Sequence, residues 1–272
     1  TLAAIGDAKV DWLVVDHYAL DARWEKRLQA KCNHLMVIDD LADRLHDCDL
    51  LLDQNLVEGM STRYQGKVPE LCRCLLGTGF SLLRPEFKML RNYSLMRRDP
   101  PACDRLLVFM GGSDPENETT KVVNGVILAT RRWGHVDVVV GQGFQTLGNL
   151  QDRMMPLPSA TLHIQTPEMA KLMANADLAV TAGGSVTWEK CVLGLPSLVT
   201  ILGENQRPIA DMMNKYGAVR SLGQAMDVTS EDYAVQLDAI HIEALKLMSK
   251  KSSEICDGLG VHKVLDILGG DL

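Results

Sequence analysis

Short apolar runs alternate with polar, helix-forming segments along most of the chain. Runs such as residues 12–16, 106–110 and 178–181 are bounded by polar or glycine residues, a pattern typical of strands buried on both faces. Intervening segments such as 21–31, with Asp21 as its cap, and 117–131 predict helices. The alternation predicts an α/β protein with doubly wound parallel sheets and right-handed crossovers. The predicted strands are residues 12–16, 35–38, 49–52, 73–76, 106–110, 136–140, 162–164, 178–181, 198–201 and a last one from residue 219.

The length of 272 residues predicts two domains. Residues 85–104 are charged and carry prolines, which indicates a helix followed by a linker. We place the boundary near Pro100 and Pro101, giving one domain of residues 1–100 and a second of residues 101–272 that includes the terminal helices.

A glycine turn follows the predicted strand at residues 178–181. Gly183, Gly184 and Ser185 lead directly into a predicted helix, and such a turn brings backbone N–H groups close to a phosphate. Glu189 lies four residues after Ser185 and shares its helical face, where a carboxylate can accept hydrogen bonds from sugar hydroxyls. The same turn also serves as a tight connection in parallel sheets, with Glu189 as a solvated surface residue, so this segment alone leaves both interpretations open.

Two further polar or glycine-rich turns follow predicted strands. They are Gly111, Gly112 and Ser113, and Glu204, Asn205 and Gln206. Because ligands bind at the carboxyl ends of parallel strands, all three turns are predicted to line one rim that holds a phosphate-bearing ligand. Neither the GxGxxG dinucleotide fingerprint nor a GxxxxGK[ST] loop is present, which disfavours NAD and P-loop chemistry.

The composition limits the kinds of binding partner and the cellular compartment that the sequence predicts. A net charge of −7 and 5% aromatic residues disfavour a nucleic-acid partner. No apolar run reaches the roughly 18 residues that span a bilayer, and no signal peptide is visible. The seven cysteines form no CxxC pair, which predicts reduced thiols and a cytoplasmic protein without a metal. Cys72 and Cys74 share a strand face, as two buried thiols or, less favoured, as a metal pair.

The carboxylates after the second predicted strand admit two interpretations. Asp39 and Asp40 could act as an acid–base pair or hold a metal, but aspartates at a strand end more often make loop or cap hydrogen bonds. Asp16 either orients His17 or Tyr18 or caps the next loop.

A set of motifs in fixed order resembles a known family. They are VVDHY at 14–18, IDD at 38–40, DLLLDQN at 49–55, LLGTGFSLLRPEF at 75–87, VFMGGSDPEN at 108–117, and AGGSVTWEKCVLGLPSLV at 182–199 followed by ENQ at 204–206. Together they resemble the PseG-type UDP-sugar hydrolases of the pseudaminic acid pathway, which are relatives of the MurG glycosyltransferases. The resemblance covers nearly the whole chain.

The resemblance implies a GT-B fold, in which two Rossmann-like domains with parallel sheets face a cleft. It implies hydrolysis of UDP-2,4-diacetamido-2,4,6-trideoxy-β-L-altropyranose by water attack at the anomeric carbon. The product feeds pseudaminic acid biosynthesis and hence flagellin glycosylation. A monomer that takes a UDP-sugar substrate and needs no cofactor or metal is expected.

The resemblance also assigns roles to particular residues. Tyr18 matches the active-site tyrosine, and Asn205, beside Gln206, matches a substrate-contacting asparagine. The remaining matches are Gly183, Gly184 and Ser185 for the UDP pyrophosphate turn, Glu189 for the ribose contact, and Gly111, Gly112 and Ser113 for the turn that opens the second domain.

The sequence departs from the family in one respect. The family's general base is a histidine in a GxGHxxR loop, which this sequence does not contain, so the chain is expected to begin downstream of that loop. His17 occupies a different position, as a proton carrier or, more in keeping with its place, as a structural or orienting residue. The chain is therefore expected to bind UDP through its second domain with weak or no catalysis. The alternatives are a MurG-like UDP-sugar glycosyltransferase and a nucleotide-sugar-binding fragment without activity.

Overall fold

The computed structural model describes residues 5–184 and 186–270. The chain forms two compact units: unit 1 runs to Leu83 and resumes at Gly258, and unit 2 is Arg84–Asp257. No helix within the described ranges is long and apolar enough to cross a membrane.

Unit 1 is built on a parallel sheet. Within the described residues its strands lie in the order β1-β2-β3-β4. The elements are β1 (Val10–Asp16), α1 (Ala22–Leu28), β2 (Cys32–Ile38), β3 (Leu50–Asp53), β4 (Arg73–Leu76) and, from the end of the chain, α10 (Gly260–Leu268). The predicted cap of α1 is confirmed, because the Asp21 carboxylate accepts a hydrogen bond from the backbone N–H of Arg23 at 2.9 Å.

Both faces of this sheet are covered, as the continuous apolar runs predicted. Val37 and Leu51 point into one apolar cluster with Tyr64, while their neighbours Met36 and Leu50 point into another. Alternate side chains of a strand face opposite sides, so each run supplies two cores at once.

Unit 2 holds a larger parallel sheet with the order β10-β9-β8-β5-β6-β7 among the described strands. Its elements are α2 (Pro85–Arg97), β5 (Arg105–Phe109), α3 (Glu118–Leu128), β6 (His135–Val140), α4 (Leu147–Met154), β7 (Ala160–Ile164), α5 (Met169–Asn175), β8 (Leu178–Ala182), α6 (Val186–Val192), β9 (Ser197–Ile201), α7 (Arg207–Lys215), β10 (Arg220–Gln224), α8 (Ser230–Asp238) and α9 (Ile242–Ile255).

The core of unit 2 fills one face of this sheet, beneath α3 and α8. Leu106 and Val108 of β5 pack there with Val180 of β8, Val126 of α3 and Leu237 of α8, and all five are almost completely buried. The chain starts the sheet in its middle at β5, builds outward to β7, and then returns to β8 on the other side of β5. The predicted doubly wound parallel α/β architecture is confirmed.

The division into units differs from the predicted domain boundary near residue 100. The helix α2 belongs to unit 2, because Ser94 and Arg98 donate hydrogen bonds to the carbonyl of Leu193, at 2.7 and 3.0 Å. The terminal helix α10 belongs to unit 1, where Val264 joins the cluster of Met36 and Leu50. Side-chain contacts between residues far apart in sequence determine the unit to which each of these two helices belongs. The prolines at 100 and 101 mark only the end of a helix.

Candidate functional site

A pocket of about 360 Å³ opens in unit 2 where β5 and β8 end side by side. The connections from these two strands leave in opposite directions, to β6 on one side and β9 on the other. This is the topological switch point of the sheet, the position at which open α/β sheets bind ligands. The lining residues are Phe109, Met110, Gly111, Gly112, Ser113, Asp114, Pro115, Ala182, Gly184, Val186, Leu202, Gly203 and Gln206.

The turn after β5 lines one wall and depends on its glycines. Gly111 has φ +103°, in the left-handed region that glycine adopts at no steric cost. A Cβ at Gly141, directly after β6, would lie 1.8 Å from the carbonyl oxygen of Gly112. The two turns pack so closely that only glycine fits at Gly141, which fixes the position of this wall.

Asp114 is a pocket residue that the sequence analysis missed. It is buried, and its two carboxylate oxygens accept hydrogen bonds from the N–H groups of Glu118 and Thr119 at 2.9 and 2.8 Å. The chain's own carboxylate thus neutralises the positive end of α3. The sequence signal for this role was the Asp–x–x–x–Glu spacing before a helical segment, which is typical of a helix N-terminal cap.

The turn after β8 lines the facing wall. Gly184 reaches the pocket, whereas Gly183 is not among the lining residues, and an added Cβ there would meet Gln206 at 3.4 Å and Val199 and Ala210 at 3.5 Å. The hydroxyl of Thr187 donates to the carbonyl of Gly184 at 2.7 Å and holds the turn at the start of α6. Ser185, predicted to contact the pyrophosphate, lies outside the described residues.

The ENQ segment contributes one of its residues to the pocket. The Gln206 side chain lines it and accepts a hydrogen bond from the N–H of Leu202 at 3.0 Å. Asn205 is exposed and is not among the lining residues, and Glu204 is held by Arg207 at 3.0 Å. The structure therefore brings together Gln206 and the two glycine turns, but leaves Asn205 at the outer surface.

Glu189, the predicted ribose contact, is also outside the pocket lining. Its carboxylate is half-buried on α6, and burial raises its pKa above the ordinary value. The guanidinium of Arg84 lies 3.9 Å away and opposes that shift.

Tyr18 and His17 belong to unit 1, in the loop that follows β1. The Tyr18 side chain is 64% exposed, and its hydroxyl donates to the Asp40 carboxylate at 3.1 Å. Partial burial, followed by the charge of Asp40 and this hydrogen bond, raises the pKa of Tyr18. The Nδ1 atom of His17 accepts the N–H of Ala19 at 3.0 Å, so the exposed ring is fixed by its own loop.

The two aspartates after β2 separate into different environments. Asp40 is exposed, whereas Asp39 is buried and accepts hydrogen bonds from the N–H of Ala42 at 2.8 Å and the hydroxyl of Tyr64 at 2.9 Å. The loop hydrogen-bond interpretation of Asp39 is confirmed. Among the described residues, no group of three or more His, Cys, Asp or Glu side chains has an arrangement that could hold a metal ion.

Cys72 precedes β4 and Cys74 lies within it, and both are half-buried rather than buried as predicted. The sulfur of Cys72 is 3.6 Å from that of Cys48, which is buried. The hydrogen bond to Cys48, together with burial, raises the pKa of Cys72 to about 12. The Cys72 thiol therefore stays protonated at neutral pH and is a poor nucleophile.

Comparison with known proteins gives distant relatives and a shared fold. No model of a known protein family matches the chain. An uncharacterized protein of Methanocaldococcus jannaschii is 27% identical over 216 residues, which are 77% of this chain and 44% of that protein. The spore coat polysaccharide biosynthesis protein SpsG of Bacillus subtilis is 26% identical over 272 residues, 98% of this chain and 78% of its own length.

A third relative carries an enzyme name. The UDP-2,4-diacetamido-2,4,6-trideoxy-β-L-altropyranose hydrolase of Campylobacter jejuni is 23% identical over 213 residues, 78% of this chain and 74% of the hydrolase. The chain thus spans less than half of the archaeal relative and about three quarters of the two bacterial ones.

Solved structures define the fold. MurG of Acinetobacter baumannii superimposes with a TM-score of 0.66 and 13% identity, covering 95% of this chain and 73% of MurG. Arabidopsis thaliana UGT89C1, complexed with UDP, gives a TM-score of 0.61 and 12% identity over 91% of this chain and 70% of its own. The two parallel-sheet α/β units are those of the GT-B fold.

Proposed function

We propose that the chain is a nucleotide-sugar-binding protein of the GT-B fold that binds UDP in unit 2. The reaction that this site serves is hydrolytic release of UDP from a diacetamido sugar, for which the GxGHxxR histidine that this sequence does not contain would supply the base. The observation that carries the proposal is the pocket at the β5/β8 switch point, where two glycine turns and Gln206 meet. Supporting it, the Campylobacter jejuni hydrolase aligns with 78% of the chain.

The two walls of the pocket differ in what they offer a diphosphate. On the β5 side the helix donors of α3 are already used by Asp114, whose charge disfavours a second anion there. On the β8 side Gly184, which has no side chain, lines the pocket, and no carboxylate of that wall is among the described lining residues. We therefore place the diphosphate against the β8 turn and the uncharged parts of the nucleotide toward the β5 turn and Leu202.

A glycosyltransferase is the second candidate, because SpsG, a polysaccharide biosynthesis protein, aligns with 98% of the chain. The two reactions share departure of UDP from the anomeric carbon and differ in the attacking oxygen. In hydrolysis the oxygen is that of water, and in transfer it is a hydroxyl of an acceptor sugar.

Calorimetric titration with UDP tests the pocket directly. Among the described residues other than its chain neighbours, the Gln206 amide nitrogen at 3.7 Å is the one atom within 4 Å of a methyl added at Gly184, so G184A should fold while filling space in the pocket. We expect wild type to bind UDP and G184A to bind it at least about tenfold more weakly, a change of about 1.4 kcal/mol.

The matched control is G148A in α4, where an added methyl meets nothing within 4 Å and lies outside the pocket. It should bind UDP as wild type does. Equal affinity of all three proteins for UDP, or no binding by folded wild type, would contradict the pocket assignment. Product analysis with the diacetamido UDP-sugar then separates free sugar plus UDP from a glycoside.

A further inference from the structure

The pocket of unit 2 has no cation among its described lining residues. Asp114 is the one residue in that lining with a formal charge, and the charge is negative. Arg207 follows the lining residue Gln206, but its guanidinium is held by the Glu204 carboxylate at 3.0 and 3.1 Å. Positive charge for a diphosphate against the β8 turn must therefore come from outside these lining residues.

A buried cation lies directly behind that turn. Lys190 is on α6 and is 1% exposed, and its Nζ donates to the hydroxyl of Thr181 at 2.5 Å. Thr181 is followed in β8 by Ala182, which lines the pocket. It also lies opposite Phe109 of β5, another lining residue. The ammonium group is thus held one strand position behind the pocket surface.

The ammonium group has no counter-ion in the described part of the chain. Its partner Thr181 is uncharged, and the thiol of Cys191 is the one neighbouring titratable group that affects the pKa of Lys190. Moving an isolated ammonium group out of water has a high cost in free energy. Burial accordingly lowers the pKa of Lys190 to about 8, and the group is still mostly charged at neutral pH.

Within the described residues, the groups around Lys190 leave its charge unpaired. The titratable and charged ones are Glu189 and Cys191 on α6, Arg84, Glu86 and Arg91 on α2, and Cys256 after α9. Both carboxylates lie beside Arg84, at 2.8 Å for Glu86 and 3.9 Å for Glu189. Burial raises the pKa of Cys191 to about 12, so this thiol is uncharged at neutral pH. The strand β8 and the helix α9 contribute uncharged hydroxyl groups.

We infer that Lys190 is the counter-charge of the bound diphosphate, and that its buried ammonium group acts on the anion through the β8 turn without touching it. The inference rests on the proposed function for the identity of the ligand. A charge acts over a longer distance through protein than through water, because the effective dielectric constant is lower. The residue that favours the anion is thus outside the pocket lining.

This arrangement links the binding of UDP to the binding of a proton. A bound anion favours the charged form of Lys190 and raises its pKa above about 8. Above that pH the lysine is mostly neutral in the free protein and takes up a proton when UDP binds. The affinity for UDP, relative to that for the phosphate-free nucleoside uridine, should therefore fall several-fold between about pH 7 and about pH 9.5.

Calorimetric titration of wild type and K190M with UDP and with uridine tests the inference. Methionine replaces the ammonium group by an apolar end of similar length, so the variant should fold. At neutral pH we expect K190M to bind UDP at least about tenfold more weakly than wild type and to bind uridine equally well. The matched control is K171M, at an exposed lysine paired with Glu168, which should bind both ligands as wild type does.

Proton uptake gives a second measurement. UDP titrations at about pH 8.5, in two buffers that differ in ionisation enthalpy, report the protons taken up on binding. Wild type should take up more than K190M. Other groups, including those of the nucleotide, contribute equally to both proteins, so the difference isolates Lys190.

Equal affinity of wild type and K190M for UDP would overturn the inference alone. An equal loss of UDP and uridine affinity in K190M would also overturn it, because that result indicates a structural role. Equal proton uptake by the two proteins would contradict the linkage. If K190M does not fold, the pH dependence of the wild-type ratio of UDP to uridine affinity decides the question. No binding of UDP by folded wild type would refute the proposed function and this inference with it.

Discussion

Lys190, on α6 beside the pocket turn, illustrates how a single residue can govern stability. Its side chain is buried, and Nζ donates to the hydroxyl of Thr181 at 2.5 Å. Burial lowers the pKa of Lys190 to about 8. Since a lysine in the unfolded chain titrates near 10.4, the unfolded state binds more protons between pH 8 and pH 10.

Compared with K190M, unit 2 of the wild type is therefore predicted to gain stability as the pH rises from 8 to 10. Cys191, whose pKa burial raises to about 12, contributes in the opposite direction in both proteins, so the difference between them isolates Lys190. Below pH 8 the charged, buried Lys190 lowers the stability of the folded state. This cost disappears once the lysine is neutral in both the folded and the unfolded state. The gain is up to about 3 kcal/mol. K190M should lack this contribution, whereas K171M, at a side chain that is 65% exposed, should retain it.

Urea unfolding monitored at several pH values checks this prediction. Parallel pH profiles for wild type and K190M would show that the buried lysine does not titrate in this range.

At the scale of elements, α2 is fixed to unit 2 through backbone carbonyls at helix ends. Arg98, directly after α2, donates to the carbonyls of Met173, Ala176 and Leu193, at 2.6 to 3.0 Å. Arg91 within α2 donates to the carbonyl of Val192 at 2.6 Å and to that of Ser253, near the end of α9, at 2.8 Å. These carbonyls lie in the last turns of helices or directly after them, where acceptors are in excess, so the arginines supply donors there.

R98A is expected to destabilise unit 2 by about 2–5 kcal/mol, because three backbone carbonyls lose their arginine donor. The carbonyl of Leu193 keeps Ser94 at 2.7 Å and that of Ala176 keeps Arg97 at 3.5 Å, whereas the Arg98 bond to Met173 is not replaced by either. R153A, at an exposed position in the last turn of α4, should stay within about 0.5 kcal/mol of wild type. Denaturant unfolding measures both. A loss in R98A no larger than that in R153A would show that the carbonyls find other partners.

At the scale of the whole molecule, the chain leaves unit 1 after Leu83 and re-enters it at Gly258. A fragment of residues 84–257 should therefore fold cooperatively and bind UDP alone. A fragment of residues 101–272 should not, since it lacks α2 and carries α10 without the sheet that covers Val264. Circular dichroism and UDP calorimetry of the two fragments decide between the boundaries, and equal stability of both would favour the boundary near residue 100.

The sequence by itself determined the strands, their parallel arrangement and the two glycine turns. Apolar runs and turn residues determine structure through a few neighbouring residues, so they can be recognised in the sequence. The terminal helix illustrates the limit: the sequence predicted the helix but assigned it to the second domain, whereas it packs on the sheet of unit 1.

Only the tertiary structure decided which polar residues meet. It placed β8 beside β5 and so formed the pocket, it left Glu189 and Asn205 outside the lining, and it gathered Asp39 and Asp53 around Tyr64. Strand order and buried polar pairing depend on contacts between residues far apart in sequence, which no local pattern encodes. The physical reason is that a charge can be buried only where distant parts of the chain supply its partners.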